Sequence, residues 1–227
     1  MKLAIALAGI SIAGATLAAM PFNRSWHESA TGVAGTNRAG AGGYYGTGGR
    51  LDKGIKCSHC HVKGAGTIGM TMTATPAFPT ANGDTKYVPG TRYTITIAMT
   101  GEHENPGPTN NKNGTAVTIE NASGQRAGRF IADAGQDSNT CPQQNPYPGA
   151  PGAVSPATKT TFMYSDCHGI LPLDRLGLTS WTFDWVAPAA GAGDLTMHVG
   201  MVDGDSDGKS SLDDDTLERA IKLVEGP

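Results

Sequence analysis

The chain has 227 residues, 32 of them Gly and 14 Pro, with 16% charged residues, 38% hydrophobic residues and a net charge of -3. That length suits one β-rich domain with an appendage. The weak negative balance and the lack of a basic patch argue against a nucleic-acid partner.

Residues 1–19 open with Lys2, followed by an apolar run from Leu3 to Leu17 and the small residues Ala18 and Ala19. The run is shorter than the ~20 residues of a membrane-spanning helix, so it reads as a secretory signal peptide. No second such run follows, so no membrane span is expected after cleavage. Residues 20–66 form a Gly-rich arm, for example Ala39-Gly40-Ala41-Gly42-Gly43-Tyr44-Tyr45-Gly46-Thr47-Gly48-Gly49. These glycines fit no phosphate-loop spacing, and the arm is expected to be irregular or extended.

Within the arm stands Cys57-Ser58-His59-Cys60-His61, a C-x-x-C-H string. Two thiols at this spacing can add to the two vinyl groups of one porphyrin, and the next histidine then lies under the iron. Cys57 and Cys60 are therefore the expected covalent anchors of a haem c, with His61 as its proximal ligand. Covalent haem attachment takes place outside the bacterial cytoplasm, which agrees with export. The other two cysteines, Cys141 and Cys167, would pair as a disulfide in an oxidising space, worth about 3 kcal/mol in the chain-entropy model. A competing reading makes Cys57–Cys60 a disulfide and removes the haem.

Strands are expected from about Thr67, which begins residues 67–227, a β-domain. Thr67 to Ala74 is rich in β-branched residues and Met. In Arg92 to Met99, Tyr93, Ile95, Ile97 and Met99 alternate with smaller or polar residues, as in a half-buried antiparallel strand. Ala116 to Glu120, Arg126 to Ile131 and Thr160 to Tyr164 are further strands, with a turn at Asn121 to Gly124. Trp181, Phe183 and Trp185 share one face, as do Leu195, Met197, Val199 and Met201. Polar loops are expected at 101–114 and 134–157, and residues 215–224 as a last strand. The fold class is all-β: an immunoglobulin-like antiparallel β-sandwich carrying an irregular arm.

Three stretches carry a family resemblance. Tyr87-Val88-Pro89-Gly90-Thr91-Arg92-Tyr93-Thr94-Ile95-Thr96 resembles the opening strand of Reeler (reelin-type) domains. Asn121-Ala122-Ser123-Gly124-Gln125-Arg126-Ala127-Gly128 is similar to their D-x-x-G-x-x-A-G hairpin, with Asn in place of Asp. Trp181 to Pro188, followed by Gly193 to Val199, resembles their W-x-A-P…G-x-V-x-F ending. The resemblance implies a secreted Reeler-type sandwich, and bacterial proteins of this kind place one C-x-x-C-H just before it. It implies no enzyme.

A low-spin haem needs a sixth ligand, for which His103, His198 and His27 are the candidates. If His27 were donated to an adjoining copy, haems would line up along a filament. A second cofactor candidate is calcium. Asp203-Gly204-Asp205-Ser206-Asp207-Gly208 matches D-x-D-x-D-G, with Asp214 at the twelfth position. The plain alternative is a solvated acidic loop. No G-x-S-x-G or H-E-x-x-H frame occurs. The expected function is therefore electron transfer by an exported monohaem cytochrome, to redox partner proteins or to copies of itself. The alternatives are a calcium-stabilised, non-redox extracellular binding or matrix module, and a haem enzyme with an open distal position.

Overall fold

A computed structural model describes residues 45–59, 61, 64, 66–101, 113–131, 161–162, 169–172, 178–204 and 214–227. The expected signal peptide, the start of the arm, and Cys60, His27, His103, Cys141, Cys167, Asp205 and Asp207 lie outside the described residues.

Eleven strands are found among the described residues: β1 Gly69–Thr75, β2 Thr80–Ala81, β3 Asp84–Tyr87, β4 Arg92–Thr100, β5 Gly114–Asn121, β6 Arg129–Ile131, β7 Thr161–Phe162, β8 Gly169–Pro172, β9 Ser180–Val186, β10 Leu195–Asp203 and β11 Asp215–Glu225. They form two sheets, one in the order β1-β4-β9-β6 and one in the order β2-β3-β11-β10-β5-β8-β7. All pairings are antiparallel except β3 with β11, which is parallel. The β-sandwich expected from the alternating segments is therefore the fold, with one parallel edge pairing that the alternation did not announce. The segment 215–224 is a strand, as expected. Sequence reading missed β2, β3 and β8, because each has at most four residues, too few for a periodic pattern.

One hydrophobic core lies between the sheets. The four-stranded sheet contributes Tyr93, Ile95, Ile97 and Met99 from β4, Trp181, Phe183 and Trp185 from β9, and Phe130 from β6. The larger sheet contributes Val117 and Ile119 from β5, Leu195, Met197, Val199 and Met201 from β10, and Leu223 from β11. Fully burying such a side chain is worth about 1.5–3 kcal/mol. Trp185 sits at the centre. Its ring stacks on Tyr93 at a centroid distance of 5.9 Å and meets Tyr87 edge-on at 6.0 Å. Its indole N–H donates to the Ala127 carbonyl at 3.1 Å, so the buried polar tip is satisfied. Gly128 next door has φ +74°, and a Cβ there would stand 2.4 Å from the Trp185 nitrogen. Only glycine fits.

Because side chains alternate along a strand, β10 has a second face. Its odd-numbered residues from Leu195 to Met201 fill the core, so His198 and Gly200 point to the outer side of the larger sheet. Thr118 and Glu120 of β5 join them there by register, His198 opposite Thr118 and Gly200 opposite Ala116. Even so, Thr118 and Glu120 are buried. The arm covers them.

Candidate functional site

Residues 45–56 were expected to be irregular, but they fold into a compact hairpin lying on that outer face. Thr47 bridges Lys56. The Gly48 N–H donates to the Ile55 carbonyl at 2.8 Å, and the Cys57 N–H to the Gly46 carbonyl at 2.8 Å. At the tip, Gly54 takes φ +76°, which a glycine adopts without cost. Asp52 is fully buried and holds the stem closed. Its carboxylate accepts from the Tyr45 and Thr47 N–H groups, each at 2.8 Å, and from the Thr47 hydroxyl. A carboxylate buried this way is stable because each lone pair facing the protein meets a donor.

The sheet grips the hairpin through Glu120. Its two carboxylate oxygens accept the Arg50 N–H at 3.1 Å and the Leu51 N–H at 3.0 Å. One of them also lies 3.1 Å from His198 Nε2. The Thr47 and Thr118 hydroxyls meet at 2.9 Å, and Arg50 Nη1 donates to the Ala122 carbonyl at 2.8 Å. His198, expected on a polar face, is instead enclosed between β5, β10 and the hairpin. A Cβ at Gly49 would come within 2.9 Å of its ring.

The hairpin leads directly into a 3₁₀ turn, Cys57–His59. The His61 N–H donates to the Cys57 carbonyl at 2.8 Å, which places the two residues one turn apart. The Cys57 sulfur rests over Gly200, where a Cβ would stand 2.8 Å from it and 2.6 Å from the Gly46 oxygen. The Ser58 N–H donates to Glu218 of β11 at 2.9 Å. His61 Nδ1 lies 2.6 Å from Asp214 Oδ2. The Asp214 carbonyl also accepts the Gly64 N–H at 2.7 Å, so one residue holds both the His61 ring and the chain just after it. A carboxylate opposite Nδ1 favours the tautomer that carries the proton on that nitrogen. His59 turns back instead, its Nδ1 3.4 Å from the Lys56 N–H.

Of the expected site residues, the fold brings Cys57 and His61 together with Asp214. His198 shares the same outer face, engaged with Glu120. Asp203 lies on the opposite, core-facing side. Among the described residues no three His, Cys, Asp or Glu side chains converge as a metal cage. The donor set of a covalent haem, a thiol and an imidazole oriented by a carboxylate, does fit Cys57, His61 and Asp214. Sequence reading missed Asp52, Glu120 and Gly200. Gly200 carried a signal all the same: a glycine inside a well-patterned strand often marks a close backbone approach.

No family model matches the chain, and no curated protein matches it. Several solved structures are similar to it. The Reelin-N domain of F-spondin is 16% identical, covering 74% of this chain and 91% of that one, with a TM-score of 0.40. The human F-spondin reeler domain is 15% identical, covering 73% and 86%, with a TM-score of 0.37. The C. elegans Cep-1 structure, an orthologue of human p53, is 8% identical, covering 71% and 91%, with a TM-score of 0.36. The all-β sandwich itself rests on the strand pairing described above. No helix among the described residues is long and apolar enough to cross a membrane.

Proposed function

We propose that this chain is an exported monohaem c-type cytochrome, transferring electrons in the periplasm or outside the cell to redox partner proteins or to further copies of itself. The observation that carries the reading is the 2.6 Å pairing of His61 Nδ1 with the buried Asp214 carboxylate, in the turn that also holds Cys57. A histidine that ligates a metal through one nitrogen characteristically gives its other N–H to a carboxylate or carbonyl, which sets the tautomer and raises ligand basicity.

In this reading Cys57 and Cys60 hold the haem. Their side chains would hold it covalently as thioethers, and His61 would supply an imidazole to its iron. Bound there, the haem would supply a one-electron redox centre. The chain's own residues do the rest. Asp214 orients the His61 ring. Glu218 and the Gly46 carbonyl fix the main chain on either side of Cys57. Asp52 and Glu120 keep the hairpin closed over the sheet.

The test is a haem stain after denaturing electrophoresis, with a pyridine haemochrome spectrum, of the protein purified from its own host. Haem that survives denaturation in the parent, and is lost in Cys57→Ser, supports the reading. A haem-free chain of intact mass would sink it and favour the non-redox extracellular module.

A further inference from the structure

Among the described residues the two sheets end in four edge strands, and three of these are stubs. β2 and β7 have two residues each, and β6 has three. Edges this short offer little to another chain. The fourth, β1, has seven residues. Its one neighbour among the described residues is β4, with which it pairs without a break, from Gly69 opposite Thr100 to Thr75 opposite Thr94. No bulge twists it away, and Gly69-Met70-Thr71-Met72-Thr73-Ala74-Thr75 holds no charge and no proline. Those are the common protections of an edge, and β1 lacks each of them. Alternate N–H and C=O groups along its free side are left for a further strand.

The side chains say what kind of strand fits. Met70, Met72 and Ala74 pack against the core yet stay half-buried, while Thr71, Thr73 and Thr75 are exposed. The outer row continues across the sheet. Thr73 stands opposite Thr96 and Thr96 opposite Thr182, and the Thr96 and Thr182 hydroxyls meet at 2.9 Å. A strand that extends this sheet must therefore alternate small polar residues with apolar ones, and carry no charge that the edge leaves unanswered. β1 itself has that pattern. Met72 is its midpoint, with Thr71 and Thr73 on either side. A two-fold axis through Met72 sets Thr71 against Thr73 of a second copy, Met70 against Ala74, and Met72 against Met72. The whole strand is then paired.

We infer that β1 is a self-association edge: two copies of this chain join β1 to β1 antiparallel, so that two four-stranded sheets become one continuous sheet. Main-chain hydrogen bonds supply the affinity, and the alternation sets the register. The facing Thr71 and Thr73 extend the threonine row. Met70 and Met72 lose their remaining exposure against the copy, a contact to which the flexible thioether chain adapts. The contact is isologous, so it closes at two copies. One seven-residue strand makes a small interface, and the dimer is accordingly reversible and concentration-dependent. The inference is independent of the cytochrome reading, because β1 belongs to the four-stranded sheet and the Cys57 turn lies on the outer face of the other one.

The whole protein, purified from its own host, is followed by sedimentation velocity over rising concentration, with circular dichroism to confirm the fold. The parent is expected to pass from monomer to dimer and no further. Thr71→Lys together with Thr73→Lys sets lysine against lysine twice across the two-fold axis. Both positions are exposed, so the fold stays and the dimer weakens by about tenfold or more. Thr71→Lys together with Thr73→Glu sets lysine against glutamate twice and recovers the dimer. This second variant decides the matter if the double-lysine chain folds poorly. A parent that stays monomeric at every concentration overturns the inference and leaves the edge to a different partner. So does a dimer that the two lysines leave unmoved, and so does a lysine–glutamate variant that stays monomeric.

Discussion

The Cys57 sulfur and Gly200 are stacked so closely that a single methyl group does not fit between them: a Cβ on Gly200 would lie 2.8 Å from the sulfur. The Gly46 carbonyl closes the same space from the side, at 2.6 Å. Gly200→Ala must therefore lift the whole turn from the sheet, since neither neighbour is the far end of a flexible side chain. We expect a loss of about 1–3 kcal/mol, read as a lower Tm, with faster protease cleavage near residues 45–57. Gly114→Ala, on the adjoining strand with nothing within 4 Å, is the control and should leave the arm docked. Equal cleavage rates in parent and Gly200→Ala would refute the close packing.

Glu120 should matter locally more than globally. Its removal leaves the Arg50 and Leu51 N–H groups without their acceptor. Both donors are only partly buried, so each costs at most about 1–3 kcal/mol. In Glu120→Ala, hydrogen exchange should accelerate at 49–54 while amides of β4 and β9 keep their protection. Uniform acceleration across both sheets would instead mark Glu120 as part of the global core.

Asp214→Asn keeps the shape of the side chain and removes its charge. If His61 ligates a haem, the neutral partner makes the imidazole a weaker donor, so the reduction potential should rise. Partners of this kind, when lost, typically cost about 10–100-fold in metal affinity or activity. Spectroelectrochemistry on the purified holoprotein reads the shift. An unchanged potential, with the variant folded and haem-loaded, would remove Asp214 from the site.

The opposite end of β10–β11 carries the pH sensitivity. Glu225 accepts the Gly191 N–H at 2.6 Å and the Gly193 N–H at 2.5 Å. These bonds hold its carboxyl below the ordinary glutamate value. A depressed acid stabilises the fold above its unfolded pKa, and that contribution fades as pH falls through the folded value. The Tm gap between parent and Glu225→Gln should therefore be full at pH 6 and shrink below about pH 4. Beside it, Tyr87 donates to the Gly193 carbonyl at 2.7 Å. Burial, and then the Glu225 charge, push the phenol up to about 12. A raised phenol stabilises the fold fully below pH 10. About 2–3 kcal/mol should be lost between pH 10 and pH 12. Tyr87→Phe should abolish that alkaline loss, and a parent curve flat to pH 12 would contradict the assignment.

Legibility followed the range of the interactions. The alternation in β4, β9 and β10 is a local signal, and each strand appears where its apolar residues repeat. The C-x-x-C-H spacing is local too. The hairpin at 45–56 was not legible, because what folds it is remote: Thr118 lies 71 residues from Thr47, and Glu120 lies 70 from Arg50. Asp214 shows the same limit. Its place in an acidic run suggested a cation ligand, whereas the fold gives its Oδ2 to His61, 153 residues away. Strand pairing made that meeting, and periodicity within one segment carries no trace of it.

Strand β10 has one consequence of its own. Met201 faces the core, and Gly200, the residue before it, faces Cys57. A slip of one position would put a methionine under the cysteine sulfur and a glycine into the hydrophobic interior. The interior and the Cys57 turn therefore act as two keys cut on one blade. A chain that folds with its core intact has, by that fact alone, already positioned Cys57, and an insertion anywhere between Leu195 and Gly200 would forfeit both together.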